Sequence, residues 1–271
     1  MSLPEVTLSF DNGPEPEVTP QVLDVLRRHR ILATFFVLGH KMADPARHAL
    51  AQRAHGAGHW IGNHTFSHAR PLGDCAGEAG HAEAEIGRTE ALLDTLRHPD
   101  RLFRPFGGGG RIGPHLLSPE ARAHLSAGAH TVVLWSAVPG DWHDPEGWPE
   151  RALQQCLGET RPVLVLHDLP TGAMRHLDRF LARLVDEGAR FRQDFPEGCV
   201  PMRRGRPTGA LDAITARPAA SGDTYTNHPP ANAVLPESIA CLPKRPVGRP
   251  PLAGGQTAMR SRHCNREDHE T

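Results

Sequence analysis

The chain has 271 residues, with 31 acidic against 30 basic side chains and a formal net charge of −1. That balance provides no field to draw in nucleic acid or an acidic surface, and no apolar run approaches the ~20 residues a membrane span needs. The five cysteines are widely spaced and contain no Cys-x-x-Cys pair, so they read as reduced thiols. The stretch after Met1 lacks a basic, apolar leader, and a cytoplasmic location is expected.

In chain order, the first strand is expected over Val6–Phe10, followed by a helix opened by Thr19 as N-cap with Pro20 behind it and carried by Val22, Leu23, Val25 and Leu26. Further strands are expected at Leu32–Leu38, Trp60–Ile61, Leu102–Phe103, Thr131–Trp135, Val163–Leu166 and Cys199–Met202. The intervening helices fall at Ala46–Ala57, Glu78–Leu96, Pro119–Ala127, Pro149–Leu157 and Met174–Glu187. Strands alternating with helices of this length predict parallel βαβ units. Seven strands suit an α/β fold of the distorted (β/α)7 barrel type better than a six-stranded open sheet. The barrel is expected over residues 1–205, and the Pro-, Ala- and Gly-rich segment 206–271 as a disordered tail.

Polar clusters follow the apolar runs. Asp11, His64, Arg104, Asp141 and His167 each come just after an expected strand, on the face where parallel barrels build their sites. Ser9-Phe10-Asp11-Asn12-Gly13-Pro14 is good turn chemistry on its own, but it also supplies a carboxylate and an amide oxygen. His64 and His68 are spaced i, i+4, which points both imidazoles toward one cation. Among 18 histidines such a pair is weak alone; Thr65 and Ser67 between them offer hydroxyls to support it. Arg104 can hold a neighbouring carboxylate ionised, and the run Gly107–Gly110 can present N–H groups to an oxyanion. No Gly-Lys-Ser/Thr follows, so a nucleotide loop is excluded. Trp135 and Trp142 offer faces for a sugar ring, with a core role the alternative for Trp135. His167 suits a general acid, against the alternative of a satisfied core histidine.

Taken together these motifs resemble the NodB-like polysaccharide deacetylases of carbohydrate esterase family 4, over residues 5–203. Ser9–Pro14 stands for that family's Thr/Ser-Phe-Asp-Asp-Gly-Pro, His64–His68 for its histidine motif, Arg104–Gly108 approximately for its Arg-x-Pro-Tyr-Gly loop, Asp141-Trp142 for its fourth motif, and Leu164–His167 for its Leu-x-His. The resemblance implies metal-dependent removal of N-acetyl groups from N-acetylglucosamine-type oligomers or polymers. It implies Asn12, His64 and His68 as ligands of a divalent ion, Zn2+ first and Co2+, Ni2+ or Mn2+ as alternatives. Asp11 becomes the base, positioned by Arg104. His167 becomes the acid, oriented by Asp141 or, second, Asp168, with Phe106, Gly107, Trp135 and Trp142 toward the substrate. Three departures stand out: Asn12 in place of Asp, Val138 where an acidic residue is often found, and a reshaped third loop. Asn12 keeps open hydrolysis of a cyclic amide or imide, and a non-catalytic carbohydrate-binding relic is a further alternative. Pro243–Pro251, with its Gly-Arg-Pro core, resembles a minor-groove AT-hook, against the plain reading of a solvated basic linker. Nucleic acid and membrane are not expected partners.

Overall fold

The computed structural model describes residues 3–217, so the expected disordered tail and the AT-hook-like segment fall almost wholly outside the described residues. Strand β1 (Glu5–Asp11) is followed by α1 (Thr19–His29), β2 (Thr34–Val37), α2 (Gly39–Met42), α3 (Pro45–Gly56) and β3 (Trp60–Asn63). A π-helical turn (Glu83–Gly87) leads into α4 (Arg88–Leu93), then β4 (Leu102–Phe103), α5 (Pro119–Ala127), β5 (Thr131–Val132), α6 (Trp148–Leu157), β6 (Val163–His167) and α7 (Leu177–Asp186). Short strands β7 (Arg190–Arg192), β8 (Met202–Arg203) and β9 (Arg206–Pro207) end the sheet.

The sheet runs β6-β1-β2-β3-β4-β5, all parallel, with β8 and β9 antiparallel beyond β5 and β7 on β1. A bridge between Ala137 and Leu164 joins the chain after β5 back to β6 and closes the ring. The result is the distorted (β/α) barrel expected from the alternation of elements. β1 is buried along nearly its whole length, as a strand covered on both faces must be. Outside it, α7 seats Leu177, Phe180, Leu181 and Leu184 on the core, an i, i+3, i+4, i+7 stripe. Asp44 and Ser118 cap α3 and α5 by accepting backbone N–H groups, each with proline next in sequence.

Four expectations are corrected. Thr19 is not an N-cap: it lies inside α1, and its hydroxyl accepts from the Glu15 N–H and donates to Asp168. Cys199–Met202 is not a seventh parallel strand; β7 takes that place, and β8 pairs antiparallel with β5. The single long helix over Glu78–Leu96 is instead a π-turn, a short α4 and a 3-10 turn. The chain also stays in the fold past residue 205, because β9 completes a hairpin and Leu211 and Ile214 bury against Leu116 and Leu117. Three described cysteines, Cys75, Cys156 and Cys199, are free and buried. Among the described residues no helix is long and apolar enough to cross a membrane.

Candidate active site

Asp11 and His167 are the last residues of β1 and β6 and stand opposite one another in register. Neighbouring parallel strands lie about 4.8 Å apart, so the fold itself sets these two side chains side by side. Arg104 follows β4 and is wholly buried. Its Nη1 donates to Asp11 Oδ1 at 2.9 Å and to Ser9 Oγ at 2.7 Å, its Nη2 donates to the Leu134 carbonyl at 3.2 Å, and its guanidinium lies 4.1 Å from the Phe36 ring centroid. Ser9 in turn donates to the Leu164 carbonyl at 3.0 Å. Ser9, given no role of its own in the Ser9–Pro14 motif, is marked by position: a polar residue two before Asp11 on one strand shares its face.

The His167 Nδ1–H donates to Asp141 Oδ1 at 2.9 Å, and the His167 backbone N–H donates to Asp141 Oδ2 at 2.8 Å. Asp141, fully buried, grips ring and main chain together and leaves Nε2 as the free nitrogen. Burial opposes the imidazolium, but the Asp141 hydrogen bond and charge, with Asp11 and Asp168 nearby, outweigh it and raise the His167 pKa. Asp168, the second candidate for orienting His167, faces elsewhere: it accepts from Thr19 and packs over Gly13, where a Cβ would come within 2.3 Å of its oxygens. Burial raises its carboxyl to about 6.

His64 follows β3 and donates from Nδ1 to the Arg104 carbonyl at 2.8 Å, which frees Nε2, 3.7 Å from Asp11 Oδ2. The His68 ring lies 4.9 Å from that of His64 and 3.9 Å from Phe106, centroid to centroid. Burial, then the charges of His64 and His167, lower the His68 pKa to about 2, and burial lowers that of His64 against the pull of Asp11. Both rings are therefore neutral at neutral pH, the form that ligates a metal. Asn12 adopts a left-handed backbone, φ 73°, which Asn tolerates. Its N–H donates to the Phe36 carbonyl and its own carbonyl accepts from Lys41, while its buried Oδ1 has no hydrogen-bond partner among the described residues. One orphaned amide oxygen and two neutral imidazoles fit a divalent ion that takes N and O ligands, such as Zn2+.

Among the described residues the one group of three or more His, Cys, Asp or Glu side chains whose ligand atoms lie within 4.8 Å of one another is Cys75, Glu78 and His81. Arg70 already claims that Glu78 carboxylate at 2.8 and 2.9 Å, and the Cys75 thiol donates to the Pro71 carbonyl at 3.5 Å.

Asp11, Asn12, His64, His68 and His167 line one cavity of about 170 Å³ with Phe106, Gly107–Gly110, Trp135, Val138, Trp142 and Leu169. Gly108, Gly109 and Gly110 all have positive φ, and at Gly107 a Cβ would meet the Trp135 ring at 2.6 Å. Trp135 donates its indole N–H to the Gly110 carbonyl at 2.7 Å and is nearly buried, so it shapes the glycine loop as well as the cavity wall. Trp142 is partly exposed, with its ring edge-on to His167 at 4.8 Å. All eleven residues singled out from sequence thus come to one mouth, with Arg104 and Asp141 behind the lining.

A family model described as Polysaccharide deacetylase matches residues 2–113. A chitooligosaccharide deacetylase of Rhizobium leguminosarum bv. phaseoli is 35% identical over 170 residues, covering 61% of this chain and 68% of that protein. The chain belongs to the polysaccharide deacetylase family. Also within reach of this family member is a peptidoglycan-N-acetylglucosamine deacetylase of Bacillus cereus, 31% identical over 69% of this chain and 66% of that one. The structure of the peptidoglycan deacetylase PdaC from Bacillus subtilis superposes with a TM-score of 0.55 at 27% identity, covering 70% of this chain and 87% of the other. Within the family motifs, Asn12 puts a neutral amide beside the two histidines. Val138 stands on the cavity wall where its side chain fills the space beside Gly110, a Cβ there meeting it at 2.9 Å.

Proposed function

We propose that this polysaccharide deacetylase is a hydrolase that removes N-acetyl groups from N-acetylglucosamine-type oligo- or polysaccharides, with Asp11 as base, His167 as acid, and Asn12, His64 and His68 as ligands of a divalent metal. The observation that carries it is the pairing of two separately anchored groups at neighbouring strand ends: Asp11 held by Arg104, and His167 held by Asp141. Separating an anionic acceptor from a cationic donor in one cavity is what amide hydrolysis requires.

The buried Arg104 holds Asp11 Oδ1 and leaves Oδ2 free to take a proton from attacking water. His167, with Nδ1 tied to Asp141, presents Nε2 to the cavity and can give its proton to the departing amine. Gly107 lines the cavity, and its backbone N–H is the group assigned to share negative charge on the acetyl oxygen. Bound at Asn12, His64 and His68, a divalent ion supplies Lewis acidity toward the acetyl carbonyl and the water. Trp142 at the rim and Phe106 inside give apolar faces for a sugar ring.

The test is acetate release from chitooligosaccharides and from peptidoglycan fragments, with and without chelator and after zinc is restored. The proposal expects release from at least one substrate, lost on chelation, lost in Asp11→Asn, and restored by metal in the native chain. Native protein that binds these sugars yet releases no acetate with any of the four metals would leave a binding relic in its place.

A further inference from the structure

The loop from His64 to His68 is held in a conformation its own residues do not favour. Thr65 has φ 68° and His68 has φ 54°, and a β-branched residue at positive φ is a genuine outlier. Such a backbone persists only where its surroundings over-determine it. Here the Gly39 and His40 N–H groups donate to the Thr65 and Phe66 carbonyls at 2.9 and 3.0 Å, and further support comes from the π-turn Glu83–Gly87 and the α4 helix it opens.

Both ends of the loop are pinned from there. At the far end, the N–H groups of Phe66 and Ser67 donate to one oxygen of Glu85, at 3.1 and 2.9 Å. At the near end, the fully buried Asn63 accepts from the Thr65 N–H at 3.0 Å with its Oδ1 and donates from Nδ2 to the Ile86 carbonyl at 2.9 Å and to Glu90 at 3.3 Å. Glu85 and Glu90 are both buried carboxylates. Five residues apart on a regular α-helix, they would point about 140° away from each other. The extra residue in a π-turn slows the helical sweep, and both carboxylates reach the same loop. Arg101 holds the other oxygen of Glu90 at 3.0 Å, so that end is anchored in turn.

We propose that Glu85 is a positioning residue for the metal-binding loop, aimed by the Glu83–Gly87 π-turn at the Phe66 and Ser67 N–H groups so that His64 and His68 converge on one ion. This rests on the reading of His64 and His68 as ligands. Hydrogen bonds to a charged acceptor are the strong ones, and two of them converge on a single carboxylate oxygen here. Partners that orient ligands without touching the ion typically change metal affinity by 10–100-fold.

The experiment is zinc affinity of the full chain by competition with a chromophoric chelator, the visible spectrum of the Co2+-loaded protein, and the melting temperature of the metal-free form. Glu85→Ala is expected to weaken zinc by about 10–100-fold and to alter the Co2+ spectrum, with Glu85→Gln, which keeps an acceptor oxygen, falling between it and the native chain. A Glu85→Ala protein that melts lower but keeps native zinc affinity and a native Co2+ spectrum shows a purely structural role and overturns the proposal. If Glu85→Ala does not fold, Glu85→Gln decides alone: weaker zinc binding supports the proposal and native affinity overturns it. His64→Ala separates the two readings. Zinc lost there but kept in Glu85→Ala leaves the ligands standing and removes Glu85, whereas a native chain that binds no zinc removes both.

Discussion

The two halves of the mouth are built in different ways. Asp11, Arg104 and His167 sit at strand ends, and the barrel's hydrogen-bond register fixes their spacing before any side chain chooses a rotamer. Asn12, His68, Phe106 and the glycines lie on loops, hold positive φ at several positions, and depend on neighbours such as Lys41, Glu85 and Trp135 to stay in place. On the proposed roles, proton transfer is tied to the fold itself, while metal affinity and substrate fit can change without altering the barrel.

The largest effect should come from striking the strand-built half. Arg104→Met leaves Asp11 as an uncompensated buried carboxylate. It should cost about 3–5 kcal/mol of stability and roughly a thousandfold in kcat/KM, read by denaturant unfolding and acetate release; a loss of activity without loss of stability would show that Arg104 acts only on the chemistry.

Next in size is Asp141→Asn. Asp141 raises the His167 pKa, and an acid works only below its own pKa, so native activity should fall as pH rises through a value above the ordinary histidine range of about 6.5. Removing the charge should move that fall to lower pH and cut kcat by about a hundredfold. A pH–rate profile checks both, and an unmoved basic limb would take His167 out of the acid role.

Asp168 is the exception within the rigid half, since its buried Oδ1 has no partner among the described residues. Its folded pKa, about 6, lies above the ordinary 3.8, so the fold prefers the protonated form. Stability from this group is complete below about pH 4 and is lost as pH rises through about 6. Asp168→Asn should therefore match the native chain at pH 4 and be more stable at pH 8 by about 3 kcal/mol, measured as thermal or denaturant midpoints at the two pH values.

The smallest effect lies on the loop side. Asn12→Asp restores one negative charge at the orphaned amide position and should tighten zinc by on the order of tenfold, with the barrel's melting temperature in chelator unchanged. Equal or weaker binding would remove residue 12 from the ligand set.

Much of the strand-built half was legible in the sequence, because an apolar run followed by Asp11, Arg104 or His167 carries both the strand and the chemistry at its end. Loop supports were harder to read. Glu85 is one acid among many in a segment that looks like plain helix, and nothing in its neighbours marks a π-turn. β7, with Arg190 and Arg192 exposed, lacks an apolar run, and β8–β9 pair through two residues each, too few for periodicity to register. Thr19-Pro20 looked like a helix start because its chemistry is right for one; a distant aspartate, Asp168, claimed the hydroxyl instead. Ser9 shows the same limit, since its partner Arg104 lies 95 residues away.

The ring of strands is completed by a short seam, where Ser136 and Ala137 pair with Val163–Val165, and its Ala137–Leu164 bridge falls four residues before Asp141 and three before His167. A local opening there would part His167 from Asp141 while every other strand pair stayed intact. Inactivation by heat or mild denaturant should then precede unfolding, because the stitch that shuts the cylinder lies beside the Asp141–His167 pair on which the proposed acid depends.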